Sequence, residues 1–562
     1  MVTLAGVSMM IGSASITGSV SLVGRVLLGF GLMVCAVMAV GGVGTGARVQ
    51  PHLPTRFITG WTLVVGVLLT GFHVLLDRRL GIDESLYLLQ SHLFEAARVA
   101  WPLPDELIPF FIETQMIEAA GGLLSQYPPG WPLLLFLFDG VGLQWWAGII
   151  VSLASLIMTY KLATRLASPA VGSLAVVLLG TNPLFLTLGG SYMSHSATMF
   201  FLVLAAWWLV PSAQDGTRFG GREVLAGLAL GSAVMIRPFS GVIVGGSIII
   251  WVVLQAGFTR EMLWRGLAVV GGGIVPVLFL LSYNYITNGA PLVFGYDVAH
   301  DGLSALGFGP RGFITYTADG AREIAIQDYS LLRALEELPR RMWEVITFVV
   351  PAGILLPLLA LTRPWPSSGR VLLLLSLPLG YVFYFFSGPR FYLDVLPLWL
   401  IVLSVAISRS TFRPAAVRRA LGVAVLMNAI AGGTALLGVW KERNNPVYPA
   451  QTILRMAEER GPLLVFIRGA AGYTILGTLW WLNIPGCDSP AIVVRDRGTL
   501  NHIARRAFPN RHPVLLDWRG LSVPPELIPL TVDPGADTDG GLCYDSRGSG
   551  LQATTLKQPS HG

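Results

Sequence analysis

Apolar runs of about twenty residues recur along almost the whole chain, and that is the length a helix needs to cross a hydrocarbon core of about 30 Å. They fall at 20–43, 57–76, 143–164, 171–190, 192–210, 224–236, 239–255, 266–286, 343–362, 371–386, 391–408 and 420–440. A backbone in lipid must satisfy its own polar groups, which leaves helices or closed barrels. Unbroken apolar runs, rather than strict alternation, select helices. The pattern predicts an α-helical polytopic membrane protein with about twelve crossings, give or take one. The pair 224–236 and 239–255 is short and reads as either two crossings or one broken, re-entrant unit. Segment 130–139 is too short to cross and is expected at the interface. Composition agrees: 53% of the 562 residues are hydrophobic and 12% charged, against about 25% charged in soluble domains.

Basic residues set the expected orientation. Arg48 and Arg56, Lys161 and Arg165, Arg218 and Arg222, Arg260 and Arg265, Arg363 and Arg370, and Arg409 to Arg419 all fall on one side of the predicted spans. That side is expected to be cytoplasmic. Loops 77–129 and 287–342 and the tail after Trp440 then lie outside, and the two loops are rich in Asp and Glu. The net charge of +6 is spread through short loops, which the positive-inside bias explains without a nucleic-acid partner. No basic n-region precedes the first apolar run, so 20–43 is read as a retained helix rather than a signal peptide.

The polar segments divide the chain into an extra N-terminal segment (1–56), a membrane module (57–440), a tail domain (441–533) and a disordered end (534–562). Within loop 77–129, apolar residues recur at helical spacing over 84–100 and 105–120, predicting two interfacial helices. Tyr127-Pro128-Pro129-Gly130-Trp131-Pro132 then breaks helix, because proline lacks an amide proton. In the tail, apolar runs at 463–467, 491–494 and 514–516 read as strands between helical stretches at 450–460 and 499–507, predicting a small α/β domain. Cys487 and Cys543 lie in this tail, where they are either a permitted disulfide or two free thiols; Cys35 lies in a span.

Five clusters carry candidate chemistry. Asp83-Glu84 follows the second span; adjacent carboxylates there suit a general base or a divalent-cation site, and equally suit the start of a helix. His195 lies in Ser191-Tyr192-Met193-Ser194-His195-Ser196 at the end of a span, where a polar group needs a partner or a cavity; a helix cap made by Ser194 beside an idle interfacial histidine is the equal alternative. Arg237-Pro238 separates two apolar stretches, and an arginine there costs about 2.5–3.5 kcal/mol unless it meets an anion or water. Loop 287–342 offers Tyr296, Asp297, His300 and Asp301, then Arg311, as hydrogen-bonding and aromatic groups of the kind sugars use; the spacing matches no metal motif. Gly388-Pro389-Arg390-Phe391-Tyr392 presents a planar guanidinium suited to phosphate. Interfacial snorkelling is the alternative reading for Arg390.

The order of these elements resembles the GT-C superfamily of membrane glycosyltransferases: Asp83-Glu84, Tyr127-Pro128-Pro129, Ser191 to His195, and Gly388 to Tyr392. The likeness is nearest to bacterial enzymes related to protein O-mannosyltransferases and lipid A aminoarabinose transferases, and it spans roughly residues 57 to 440. It implies a multi-pass protein of the bacterial plasma membrane with its active site and tail domain outside the cytoplasm. The donor would be a polyprenyl-phosphate-linked sugar and the acceptor a glycan, lipid or protein. Asp83 would be the general base, with Glu84 assisting or binding a divalent cation. Arg390, with Arg237 or Arg311, would bind the donor phosphate. Tyr127, His195, Tyr296, Asp297, His300, Asp301 and Tyr392 would line the substrate, and direct displacement would invert the anomeric centre. Aminoarabinose transferases carry a lysine where this chain has Tyr127, and an aspartate where it has Ser194 and His195, so those two roles do not transfer. A transporter or flippase is the competing reading; it requires paired broken helices and midplane charges.

Overall fold

The computed structural model describes residues 55–73, 80–215, 221–316, 321–344, 375–386, 388–408, 414–443, 449–468, 477–483, 489–517 and 526–530. The expected span 20–43, nearly all of 343–362, the three cysteines and the 534–562 tail lie outside these residues.

The first half is a bundle of apolar helices: α1 (Thr55–His73), α2 (Ile82–Glu95), α3 (Gly130–Asp139), α4 (Ala147–Leu166), α5 (Pro169–Gly180), α6 (Pro183–Leu188), α7 (His195–Asp215), α8 (Gly221–Ile236), α9 (Pro238–Ala256) and α10 (Arg260–Asn288). Among the described residues three helices, Gln144–Leu166, Pro238–Ala256 and Arg260–Asn288, are long and apolar enough to cross a membrane. Shorter apolar helices of 10–17 residues accompany them. Leu263, Leu267, Val270, Ile274 and Leu278 leave one face of α10 exposed, as a lipid-facing helix requires.

Helices α8 and α10 touch backbone to backbone. A methyl group added to Gly227 would sit 1.9 Å from the carbonyl oxygen of Val269, and one added to Gly272 1.9 Å from that of Val224. Without a hydrophobic force between helices in lipid, such small-residue contact is what holds them.

Two expectations change, and a third, left open, gains its local geometry. The span read at 171–190 is two helices, because Asn182 caps α6 by accepting from the amides of Leu184 (2.9 Å) and Phe185 (3.2 Å), while Pro183 has no amide to continue α5. The unit around Arg237-Pro238 is two separate helices folded back on each other, so close that a methyl on Gly241 would meet the Val234 Cα at 2.6 Å. The helix expected over 105–120 does not form. Ile108–Phe111 is a single turn, and β1 (Met116–Ala119) pairs antiparallel with β2 (Gly122–Ser125). Ala120 and Gly121 both take positive φ, 53° and 79°, the two-residue turn that matches strand twist.

Beyond α10 come α11 (Gly295–Ala299), the hairpin β3 (Gly309–Tyr316) and β4 (Arg322–Tyr329), and α12 (Leu331–Glu344). A 3-10 turn, Pro389–Asp394, leads into α13 (Leu396–Ser408), and α14 (Pro414–Arg443) follows. The last unit contains α15 (Ala450–Arg460), α16 (Asn501–Ala507) and a four-stranded sheet of order β6-β5-β7-β8: β5 (Leu463–Arg468), β6 (Ala491–Arg495), β7 (His512–Asp517) and β8 (Glu526–Pro529). Strand β5 is parallel to both neighbours, and its continuous apolar run is fully buried, as a central parallel strand requires.

Two large cores result. One fills the helical bundle. The other joins α2 and the 101–127 segment to the sheet, with Leu86, Leu89, Phe111 and Trp131 packing in one cluster with Val465, Phe466 and Trp480.

Candidate functional site

The site collects at helix ends. Asp83 is in the first turn of α2, Ser194 and His195 open α7, Arg237 sits between α8 and α9, and Arg390 and Asp394 lie in the turn before α13.

At the more open part, the Arg390 guanidinium is 3.1 Å from the Asp83 carboxylate; Arg390 is 40% exposed and Asp83 13%. The Tyr127 phenol lies near the Asp83 carboxylate. The Tyr127 ring packs on Tyr87 at 4.5 Å and edge-on to Tyr296 at 5.7 Å. Burial first, then the Asp83 charge, pushes the Tyr127 phenol well up. It therefore remains a protonated donor.

Beneath this pair lies a buried chain of polar groups. Asp394, fully buried, takes His195 Nδ1 on one oxygen at 2.8 Å and Arg237 Nε on the other at 2.9 Å. Arg237 Nη1 donates to Ser194 Oγ at 3.4 Å, and Ser194 Oγ lies 3.0 Å from the Tyr87 hydroxyl. Phe391 joins the two levels: the guanidinium carbons of Arg237 and Arg390 each lie 5.4 Å from its ring centroid. Aromatic faces attract cations, so one ring helps place both arginines. The backbone leading into this turn is held by Arg341 of α12. Its buried guanidinium donates to the carbonyls of Tyr381, Tyr384 (3.1 Å) and Phe385 (3.3 Å) and to the Tyr329 hydroxyl (3.2 Å).

The structure thus brings together Asp83, Tyr127, Tyr296, His195, Arg237 and Arg390 from the expected set. Others are placed elsewhere. Glu84 faces away from chemistry: Oε1 accepts from the Tyr192 amide at 2.7 Å and Oε2 from the Gly81 amide at 2.8 Å. With Asp83 turned to Arg390, the two carboxylates do not present a joint cation site, and no cluster of three or more metal-ligating side chains occurs among the described residues. Arg311 is spent on the local carbonyls of Leu306, Gly307, Phe308 and Pro310. His300 is a loop brace: Nδ1 accepts from the Ile314 amide at 3.1 Å, and burial pushes its imidazole down to about 4. Asp301 pairs with Arg322 at the hairpin. Asp297 is half-buried in α11, and burial raises its carboxyl while Arg311 opposes the shift. Tyr392 points into the helical core, 5.9 Å from Trp399 and 5.6 Å from Tyr381.

Sequence reasoning missed Asp394, Arg341 and Tyr87. Asp394 carried a signal: a lone carboxylate beside an apolar span is costly unless partnered.

No protein-family model matches the sequence, and no curated protein matches it. In three dimensions the chain is similar to ArnT from Cupriavidus metallidurans in the apo state, with 14% identity, a TM-score of 0.54, and coverage of 82% of this chain and 93% of that one. It is equally similar to ArnT bound to undecaprenyl phosphate, with 14% identity, a TM-score of 0.53, and coverage of 83% and 94%. The archaeal oligosaccharyltransferase AglB from Archaeoglobus fulgidus is more distant, with a TM-score of 0.40 at 13% identity over 76% of this chain and 64% of that one. At such identities the likeness speaks to architecture alone: the chain shares the fold seen in ArnT.

Proposed function

We propose that this chain is a membrane glycosyltransferase that takes a sugar from a polyprenyl-phosphate donor and passes it to a glycan, lipid or protein acceptor on the extracytoplasmic face. One observation carries the reading: Asp83 and Arg390 meet at 3.1 Å above a buried His195–Asp394–Arg237 set. The ArnT structure bound to undecaprenyl phosphate gives the donor class its support.

Asp83 takes the proton of an acceptor hydroxyl as that oxygen attacks the anomeric carbon. The bond from that carbon to the phosphate oxygen breaks, and the lipid phosphate leaves with the electron pair. A single displacement inverts the centre. Arg390, with five donors in its fork, can bind a phosphate while leaving Asp83 free to accept a proton. Arg237 adds a second positive charge nearby, where preorganised charge matters most to the transition state. Tyr127 orients Asp83, and Tyr296 extends the aromatic wall. Glu84 and Asp394 position rather than react. We assign the 57–440 module to catalysis and the 441–533 unit to the same side of the membrane as Asp83. The polar groups gather at helix ends, so a transporter with midplane charges is the weaker reading.

The test has two parts. The full-length chain in nanodiscs is titrated with undecaprenyl phosphate, and binding is expected to weaken at least tenfold in Arg390→Ala. The same protein is then incubated with a panel of undecaprenyl-phosphate-linked monosaccharides and membrane extract of the native host. Release of undecaprenyl phosphate with a newly glycosylated product, lost in Asp83→Asn, is expected; equal release by both proteins sinks the assignment.

A further inference from the structure

The first turn of α2 is gripped from two sides. On one side Asp83 reaches Arg390 and Glu84 reaches the Tyr192 amide, both within the helical bundle. On the other, Ile82 and Ser85 face the sheet unit. A methyl on Gly477 would lie 2.7 Å from Ile82 Cγ1 and 3.1 Å from both Cδ1 and Cγ2, and the Ser85 hydroxyl donates to the Thr478 carbonyl at 3.3 Å. So both residues that flank the acidic pair touch the 477–482 segment.

That segment is packed into the rest. Trp480 is fully buried, with Trp101 edge-on at 5.9 Å and Phe111 at 5.8 Å. The end of β6 supplies a second anchor, where Arg495 lies 3.4 Å from Glu113 with both side chains buried. Burial raises Glu113 to about 7 even with Arg495 beside it, and breaking a buried pair of this kind is strongly destabilising. These contacts tie the sheet to the loop that carries Asp83.

We infer that the sheet unit is part of the catalytic apparatus: through the 477–482 segment it fixes the first turn of α2 and so aims Asp83 at the acceptor. Gly477 and Thr478 are positioning residues. The inference rests on the reading of Asp83 as the base. Its physical ground is that a displacement of about 1 Å in a reacting group costs on the order of 100-fold in rate, and a side chain at 477 must push against the Ile82 side chain, in the residue next to Asp83.

The experiment uses the full-length protein in nanodiscs and the undecaprenyl-phosphate-linked donor panel described above. Gly477→Val is expected to lower kcat at least tenfold, with donor KM and undecaprenyl phosphate affinity within threefold of the wild type. Ile82→Ala placed in the same chain is expected to restore kcat to within about threefold, because it removes the atoms the new side chain meets; such coupling is what a double-mutant cycle reads. Thermal unfolding is measured for each, and Ser85→Ala, which disturbs the interface without a clash, is expected to give a smaller kcat loss of the same kind. Wild-type kcat in Gly477→Val, or a loss that follows the folded fraction and is not rescued by Ile82→Ala, overturns the inference. Asp83→Asn separates the two claims: if it too retains activity, the base assignment has failed; if it is dead while Gly477→Val is normal, only the positioning role has.

Discussion

The two carboxylates of the site live in different worlds. Asp83 meets Arg390 where the arginine is 40% exposed; Asp394 meets Arg237 and His195 with no exposure of its own. An exposed ion pair is worth little, with a median of about 0–1 kcal/mol, so Arg390 can exchange its carboxylate for a phosphate at small cost. A buried one is different, because removing either partner strands a charge away from water. The rim pair is therefore suited to act and the buried set to hold, although each is an aspartate facing an arginine.

Substitutions can break this contrast. The largest effect is expected from Asp394→Ala, which leaves Arg237 unpaired beside His195 and should destabilise the fold by roughly 3–5 kcal/mol. Thermal unfolding in nanodiscs reads this, and a melting temperature equal to that of the wild type would show that the buried set bears no structural load. Asp83→Asn comes next, with a transfer rate lower by about 10²–10⁴-fold, the usual contribution of a general base, and little change in unfolding. Should Asp83→Asn instead melt early while Asp394→Ala does not, the two roles are exchanged. Arg390→Lys is expected to weaken undecaprenyl phosphate binding severalfold, since an ammonium replaces one edge of a planar fork with a point charge; an unchanged titration moves the phosphate site elsewhere. The smallest effect belongs to Arg311→Ala, whose four bonds end on nearby carbonyls. It should leave both donor affinity and transfer within about twofold, the scale of a surface substitution away from special features. A loss as large as that of Arg390→Lys would bring Arg311 back to the donor.

Much of this is legible in the sequence. Apolar run length predicts most of the described helices, and Asp83, His195, Arg237 and Arg390 stand out in the sequence as polar groups at the ends of spans, with Tyr127 at the head of a helix-breaking Pro-Pro motif. The division of labour between Asp83 and Glu84 was not legible. It depends on which side of one helical turn each carboxylate leaves, and that is decided by the Tyr192 amide, more than a hundred residues away. Asp394 shows in the sequence only the cost of a lone carboxylate at the start of a span; its partners His195 and Arg237 are 199 and 157 residues away and are not legible. The β1–β2 hairpin was misread because Leu107, Phe110, Met116 and Ile117 fit a helical period, while the signal that mattered was the Ala120-Gly121 turn. His300, Asp301 and Arg311 have the chemistry of a sugar site but bond within their own loop.

The seam between α8 and α10 bears on all of this. Where Gly227 and Gly272 meet opposing carbonyls there is no room for one methyl group, so the two helices behave mechanically as one thick strut instead of two slender rods. Arg237 is mounted at the end of that strut. The backbone of Arg237 is thus set by a seam that admits no methyl group, while its side chain is set separately by Asp394, Ser194 and Phe391.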